Sequence, residues 1–265
     1  MNFESMHILV TFAVEAEFAP WRSRHPFVPY EFDEAGRRRD FDLYRANTCS
    51  NEVTVLLTGM GGENASNAMQ TIPLEMQDVC IATGLAGALD PSLKPGTIVA
   101  GRRCEALSKV LKTASDAGLL DLAVAAGARA VNVFLTSEAI LATAIEKQSL
   151  SASGSVVEME SAHILAAASR RQVPVVAVRA ISDGADEDLP VDFRQIADSR
   201  GHVRVGGLLK ELALHPHRLP LLVRFGRQSR AAAVSLADFL DQCIPLIAAK
   251  WHGVRASNIE EVSTT

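Results

Sequence analysis

Val173 to Ile181 reads VPVVAVRAI, the strongest strand-forming run in the chain. β-branched side chains on both faces of one strand require a sheet that is covered on both sides. That excludes an all-helical chain and a sheet with one face in water. Further runs of this kind are His7 to Ala13, Glu52 to Thr58, Val79 to Thr83 and Ala130 to Leu135, with shorter ones at Phe41 to Arg45, Thr97 to Ala100 and Val156 to Met159. Helical spacing falls between them, over Glu15 to Arg22, Asn64 to Glu75, Ala106 to Ala126, Ile140 to Leu150, Ser161 to Arg171 and Leu221 to Ala249. Strands alternating with helices predict an α/β chain, a three-layer α/β/α sandwich. Residues 1–215 read as one domain and 216–252 as a helical extension packed on it. Residues 253–265 read as a frayed polar tail.

Composition narrows the classes of function. A 265-residue chain with 48% hydrophobic residues can bury about three quarters of its unfolded surface, so no disulfide or metal staple is required. The formal net charge of −5 argues against a nucleic-acid partner, which calls for a basic face. Cys49, Cys80, Cys104 and Cys243 form no C-x-x-C pair and have no His at zinc-ligand spacing. They read as thiols of a reducing compartment, and no metal or cofactor is expected. The first residues lack a basic segment before an apolar one, so they do not read as a signal peptide. Gly118 to Leu135 is broken by Asp121, Arg129 and Asn132, too interrupted for a membrane span. The expected location is the cytoplasm. The basic cluster Arg37, Arg38 and Arg39 reads as a solvated hairpin tip.

Four segments can carry chemistry. In RAISDGAD the strongest strand ends and delivers Ser182 and Asp183 to its carboxyl edge, where ligands collect in open α/β sheets. A carboxylate there can serve as a general acid, or can cap the turn at Gly184. In VVEMES, an extended backbone puts Glu158 and Glu160 on one face and Met159 on the other. Glu160 can cap the next helix, or can accept from vicinal sugar hydroxyls while a thioether packs on the sugar. The turns Gly59 to Gly62 and Gly84 to Gly87 each follow a strand; they are plain turns or backbone cradles for an anion. Neither is a P-loop or a dinucleotide fingerprint. Glu15 and Glu17 follow the first strand, where acids also suit a first helical turn. No G-x-S-x-G elbow occurs, and His163 reads as structural.

Taken in order, ILVTFAVEAE, LLTGMGGENA, IATGLAGALDPSLKPGTIV, LTSEAIL, VVEMESAHIL and VPVVAVRAISDGAD resemble the nucleoside phosphorylase/nucleosidase superfamily. That group includes purine nucleoside phosphorylases and methylthioadenosine/S-adenosylhomocysteine nucleosidases. The tail P-L-L-x-R…R-Q-S-R is similar to that of the hopanoid-associated phosphorylase branch. The resemblance implies a central mixed sheet and an enzyme that cleaves the N-glycosidic bond of a purine nucleoside. It gives Asp183 the leaving base and Glu160 and Met159 the ribose, with Glu158 and Ser182 beside them. Ile140 and Leu141 take the base, and Gly61, Thr83 and Gly84 the phosphate or water. Phosphorolysis, with phosphate as co-substrate, is the first expectation. Hydrolysis by water that Glu17 orients is the alternative, and a non-catalytic nucleoside-binding relative the second. The resemblance also implies a homo-oligomer. Two departures bear on the nucleophile: Leu85 stands where relatives keep a small polar residue, and Val79 to Thr83 lacks the phosphate-binding Arg of the purine phosphorylases.

Overall fold

The computed structural model describes residues 5–30, 40–48, 51–108, 111–190 and 219–263, with side chains described as far as Trp251. The Arg37 to Arg39 cluster and Cys49 lie outside the described residues. The strands are β1 (His7–Phe12), β2 (Val28–Pro29), β3 (Leu43–Thr48), β4 (Asn51–Leu57), β5 (Val79–Ala82), β6 (Leu85–Ala88), β7 (Ile98–Ala106), β8 (Lys112–Ala114), β9 (Arg129–Thr136), β10 (Val156–Glu158) and β11 (Val175–Asp183). The helices are α1 (Glu15–Arg22), α2 (Gly62–Met69), α3 (Ala117–Ala125), α4 (Ala144–Leu150), α5 (Ser161–Arg170) and α6 (Leu219–Ser263).

All the strands join one mixed sheet in the order β2-β3-β4-β1-β5-β11-β6-β10-β9-β7-β8. The central strands β4, β1, β5 and β11 run parallel. The sheet also curls: β7 pairs with β9 and returns antiparallel to β11, so β11, β6, β10, β9 and β7 close into a ring. Alternation in the sequence supplies two cores. Ile8, Val10 and Phe12 face α1, α3 and α6 with Val176 and Val178, whereas Leu9 faces α2 and α5 with Val175 and Ala177. This is the three-layer α/β/α sandwich with a central mixed sheet.

Several boundaries differ from the sequence reading. Ala106 to Ala126 is not one helix: β7 runs to Ala106, Lys112 to Ala114 pair on its edge, and α3 starts only at Ala117. The Asp116 carboxylate caps α3 by accepting from Leu119 N (3.0 Å). Leu85 to Ala88 is a strand, not a turn, with Gly84 before it at φ 148°. The Asn64 to Glu75 helix starts at Gly62 and stops at Met69. The Ile140 to Leu150 helix starts at Ala144, which leaves Ile140 and Leu141 in the preceding loop. α6 continues through Arg255 to Ser263, where a frayed tail was expected.

Candidate active site

The parallel strands β1, β4, β5 and β11 each end at one edge of the sheet. Glu17 follows β1, Gly61 follows β4, Thr83 and Gly84 follow β5, and Asp183 closes β11. β10 brings Glu158, Met159 and Glu160 to the same place, because β6 lies between β10 and β11. The register between β11 and β6 shifts between Ile181 and Asp183. A bulge of this kind re-aims side chains, and here it falls on Ser182 and Asp183.

A buried guanidinium organises the carboxylates. Arg179 interrupts the apolar face of β11 and is 1% exposed. Its Nη2 donates to Glu158 Oε2 (2.6 Å) and lies 3.9 Å from Glu160 Oε2. Burial disfavours the Arg179 charge, but Glu158, Glu160 and Glu17 outweigh that effect and raise its pKa. Glu158 is engaged wholly inside the protein. It accepts from Thr136 Oγ1 (2.5 Å) and from the backbone N–H groups of Glu160 (3.0 Å) and Ser161 (2.7 Å). Glu158 therefore holds the N-terminus of α5, and Glu160, for which capping was one of two readings, makes no capping bond.

Glu160 instead reaches across 99 positions, where its Oε1 accepts from Gly61 N (2.8 Å). Burial first, then the Glu158 charge, pushes its pKa up to about 8 against the pull of Arg179 and the Gly61 N–H. Glu17 accepts from Ala13 N (2.9 Å) and Val14 N (3.4 Å) of its own turn and from Leu85 N (2.8 Å) beyond Gly84. It is buried although it stands in the first turn of α1, and burial raises its pKa. Gly84 is glycine for two reasons: its φ is 148°, and a Cβ there would stand 3.2 Å from the Glu17 carboxylate oxygens.

Asp183 is 6% exposed. Its Oδ1 accepts from Ser182 Oγ (2.6 Å) and its Oδ2 from Lys147 Nζ (2.5 Å). Thr83 is buried, with its hydroxyl donated to Thr11 O (2.6 Å). Met159, Ile140 and Leu141 are half-buried. His163 packs its ring against Gly62, and its Nδ1 lies 3.1 Å from Ser66 Oγ. No cluster of three or more His, Cys, Asp or Glu able to hold a metal ion occurs among the described residues.

The expected residues thus fall into two groups. Glu17, Gly61, Gly84, Glu158 and Glu160 are linked through Arg179 and backbone N–H groups; Ser182 and Asp183 stand one strand away. A β-carbon on Gly87, between the groups, would lie 3.0 Å from Asp183 Oδ2 and 3.4 Å from Val157. Sequence reasoning missed Arg179 and Lys147. A lone charge in a doubly buried strand is a signal for Arg179; nothing local marks Lys147.

A family model described as the phosphorylase superfamily matches residues 7–213. No curated protein matches the chain. Among solved structures, the 5′-methylthioadenosine/S-adenosyl homocysteine nucleosidase of Campylobacter jejuni is similar, with a TM-score of 0.68 at 17% identity over 91% of this chain and 99% of that one. The corresponding nucleosidase of Neisseria meningitidis, in complex with methylthio-immucillin-A, gives 0.66 at 22% identity over 90% and 98%. A futalosine hydrolase mutant of Helicobacter pylori gives 0.64 at 16% over 89% and 99%. At these identities the likeness establishes the shared fold. The match over residues 7–213 covers most of the chain, and the chain belongs to the phosphorylase superfamily.

Proposed function

We infer that the protein hydrolyses the N-glycosidic bond of a purine nucleoside. Glycosidic cleavage builds positive charge on the sugar and sends the bond's electron pair into the base. In this reading Asp183 faces the base and passes it a proton. Glu160 holds the ribose hydroxyls over Met159, and its ionised form stabilises the sugar cation. Glu17 takes a proton from the attacking water, whose oxygen bonds to the sugar carbon. The raised pKa of Glu17 suits it to that role. Glu158 keeps Arg179 in place.

One observation carries the choice of water over phosphate. The backbone donors that a phosphate would use at the two glycine segments are already engaged by carboxylates: Gly61 N by Glu160 and Leu85 N by Glu17. The neighbours named as nucleosidases and as a hydrolase point the same way.

The test is release of free base from a nucleoside panel with and without phosphate. Release indifferent to phosphate supports hydrolysis; release that requires phosphate establishes phosphorolysis, and no release removes the enzymatic reading. Asp183→Asn is expected to slow release by about 10²–10⁴-fold. It also leaves the Lys147 ammonium without its counter-charge, which costs about 3–5 kcal/mol. The rate is therefore taken per folded molecule, from circular dichroism.

A further inference from the structure

Lys147 is a lysine with almost no contact with water, 1% exposed, on a short helix between β9 and β10. Its three ammonium protons all have partners: Asp183 Oδ2 (2.5 Å), Gly184 O (2.8 Å) and Glu187 O (2.8 Å). The loop that supplies the two carbonyls is itself fixed. Gln228 of α6 donates to Ser182 O (2.8 Å) and to Glu187 Oε2 (2.9 Å), and Arg224 pairs with Glu187 Oε1 (2.9 Å). Asp188 Oδ1 accepts from Ala144 N at the start of α4 (2.7 Å).

Burying an ion pair is expensive, and an apolar pair of similar volume is often as stable or more so. Stability is therefore a weak reason for this lysine. Both Asp183 oxygens accept hydrogen bonds, from Ser182 Oγ and from Lys147 Nζ, so the carboxyl group donates none of its own. Of these two donors, the ammonium of Lys147 is far more acidic than the hydroxyl of Ser182, so it is the one able to give up a proton.

We propose that Lys147 is a positioning residue that supplies, through Asp183, the proton taken up by the leaving base. The inference rests on the proposed cleavage of a purine nucleoside. As the C1′–N bond breaks, its electron pair moves into the base. An Nζ–H bond of Lys147 breaks while an O–H bond forms at Asp183. The carboxyl proton then passes to a base ring nitrogen, so the base leaves neutral and Asp183 is a carboxylate again. The water oxygen bonds to C1′ and its proton goes to Glu17. Lys147 is left as a neutral amine and recovers its proton through Asp183 from the water that enters after release, while Glu17 returns one. Arginine could not fill this place, because it does not give up its proton.

The experiment compares two leaving groups in Lys147→Met and Lys147→Gln. One substrate is a purine riboside that the wild type cleaves. The other is para-nitrophenyl riboside, whose phenolate departs without being protonated. Expected is a loss of at least about 10²-fold in kcat on the purine riboside, with the nitrophenyl rate within about threefold of wild type. A merely structural lysine would depress both rates in proportion. Lys147→Gln keeps a donor to Asp183 without a transferable proton, and covers the case in which Lys147→Met does not fold. Equal losses on the two substrates, or an unchanged purine rate, would overturn the relay while leaving the hydrolase reading intact. A wild type that cleaves neither substrate overturns both.

Discussion

Burial and the neighbouring Glu158 charge work against ionisation of Glu160. Its pKa stands at about 8 in the folded protein against an ordinary value of 4.5. Between these values the folded chain holds a proton that the unfolded chain has released. Unfolding then releases a proton, so stability falls as pH rises through that window and levels off above it. Glu160→Gln removes the titration. Its melting temperature is expected to exceed that of the wild type at alkaline pH, by about 2–4 °C for each kcal/mol of this linkage in a chain of this size, and to match it near pH 4. Thermal melts at the two pH values check this, and a gain that is the same at both would exclude it. The same variant is expected to lose nucleoside cleavage, because a neutral amide cannot balance a cationic sugar. The charge that makes the cluster costly is the charge that the proposed reaction uses.

The elements explain why parts of the chain were legible and others were not. β11 was plain from its composition, and its end delivers Ser182 and Asp183 as expected. The spacing of Glu158 and Glu160 was informative too, since both carboxylates reach Arg179. Which of them caps α5 was not readable, because the choice depends on Gly61 lying 99 positions away. The segment after β7 misled by propensity. Lys112 to Ala114 has a helical composition but sits on a sheet edge, where pairing with β7 overrides it. Gly84 to Gly87 misled in the opposite sense: Gly87 lies inside a strand because Asp183 and Val157 approach it closely. Lys147 lies in a polar helix, and its burial depends on the Gly184 to Glu187 loop. A similar close approach gives a prediction for α2. A β-carbon on Gly62 would stand 2.3 Å from the His163 ring of α5. Gly62→Ala is therefore expected to cost about 1–3 kcal/mol by overpacking, read as a lower midpoint in urea with an unchanged slope. A midpoint equal to wild type would show that α2 and α5 can part without cost.

Across the whole molecule, α6 completes one of the two cores. Leu236, Phe239, Leu240, Ile244, Ile247 and Trp251 are all buried on it. Trp21 Nε1 donates to Asp241 (2.8 Å), and Arg24 and His25 also meet that carboxylate. Leu219–Trp251 is long and apolar enough to cross a membrane by length and composition, yet half of its most apolar window is buried inside the protein. Six large apolar side chains at about 1.5–3 kcal/mol each match the whole stability of a typical domain, about 5–15 kcal/mol. A chain ending before Leu219 is therefore expected to be insoluble, or to bind a hydrophobic dye without near-ultraviolet dichroism. A soluble, sharply melting truncation would make α6 an accessory. The closed ring of strands has a further consequence, in time rather than in space. Its closing pair sets Ala100 of β7 opposite Val178 of β11, far apart along the chain. Contacts between such distant parts of a chain are slow to form. After dilution from denaturant, helical signal should return first and turnover last, so recovered activity clocks closure of the ring.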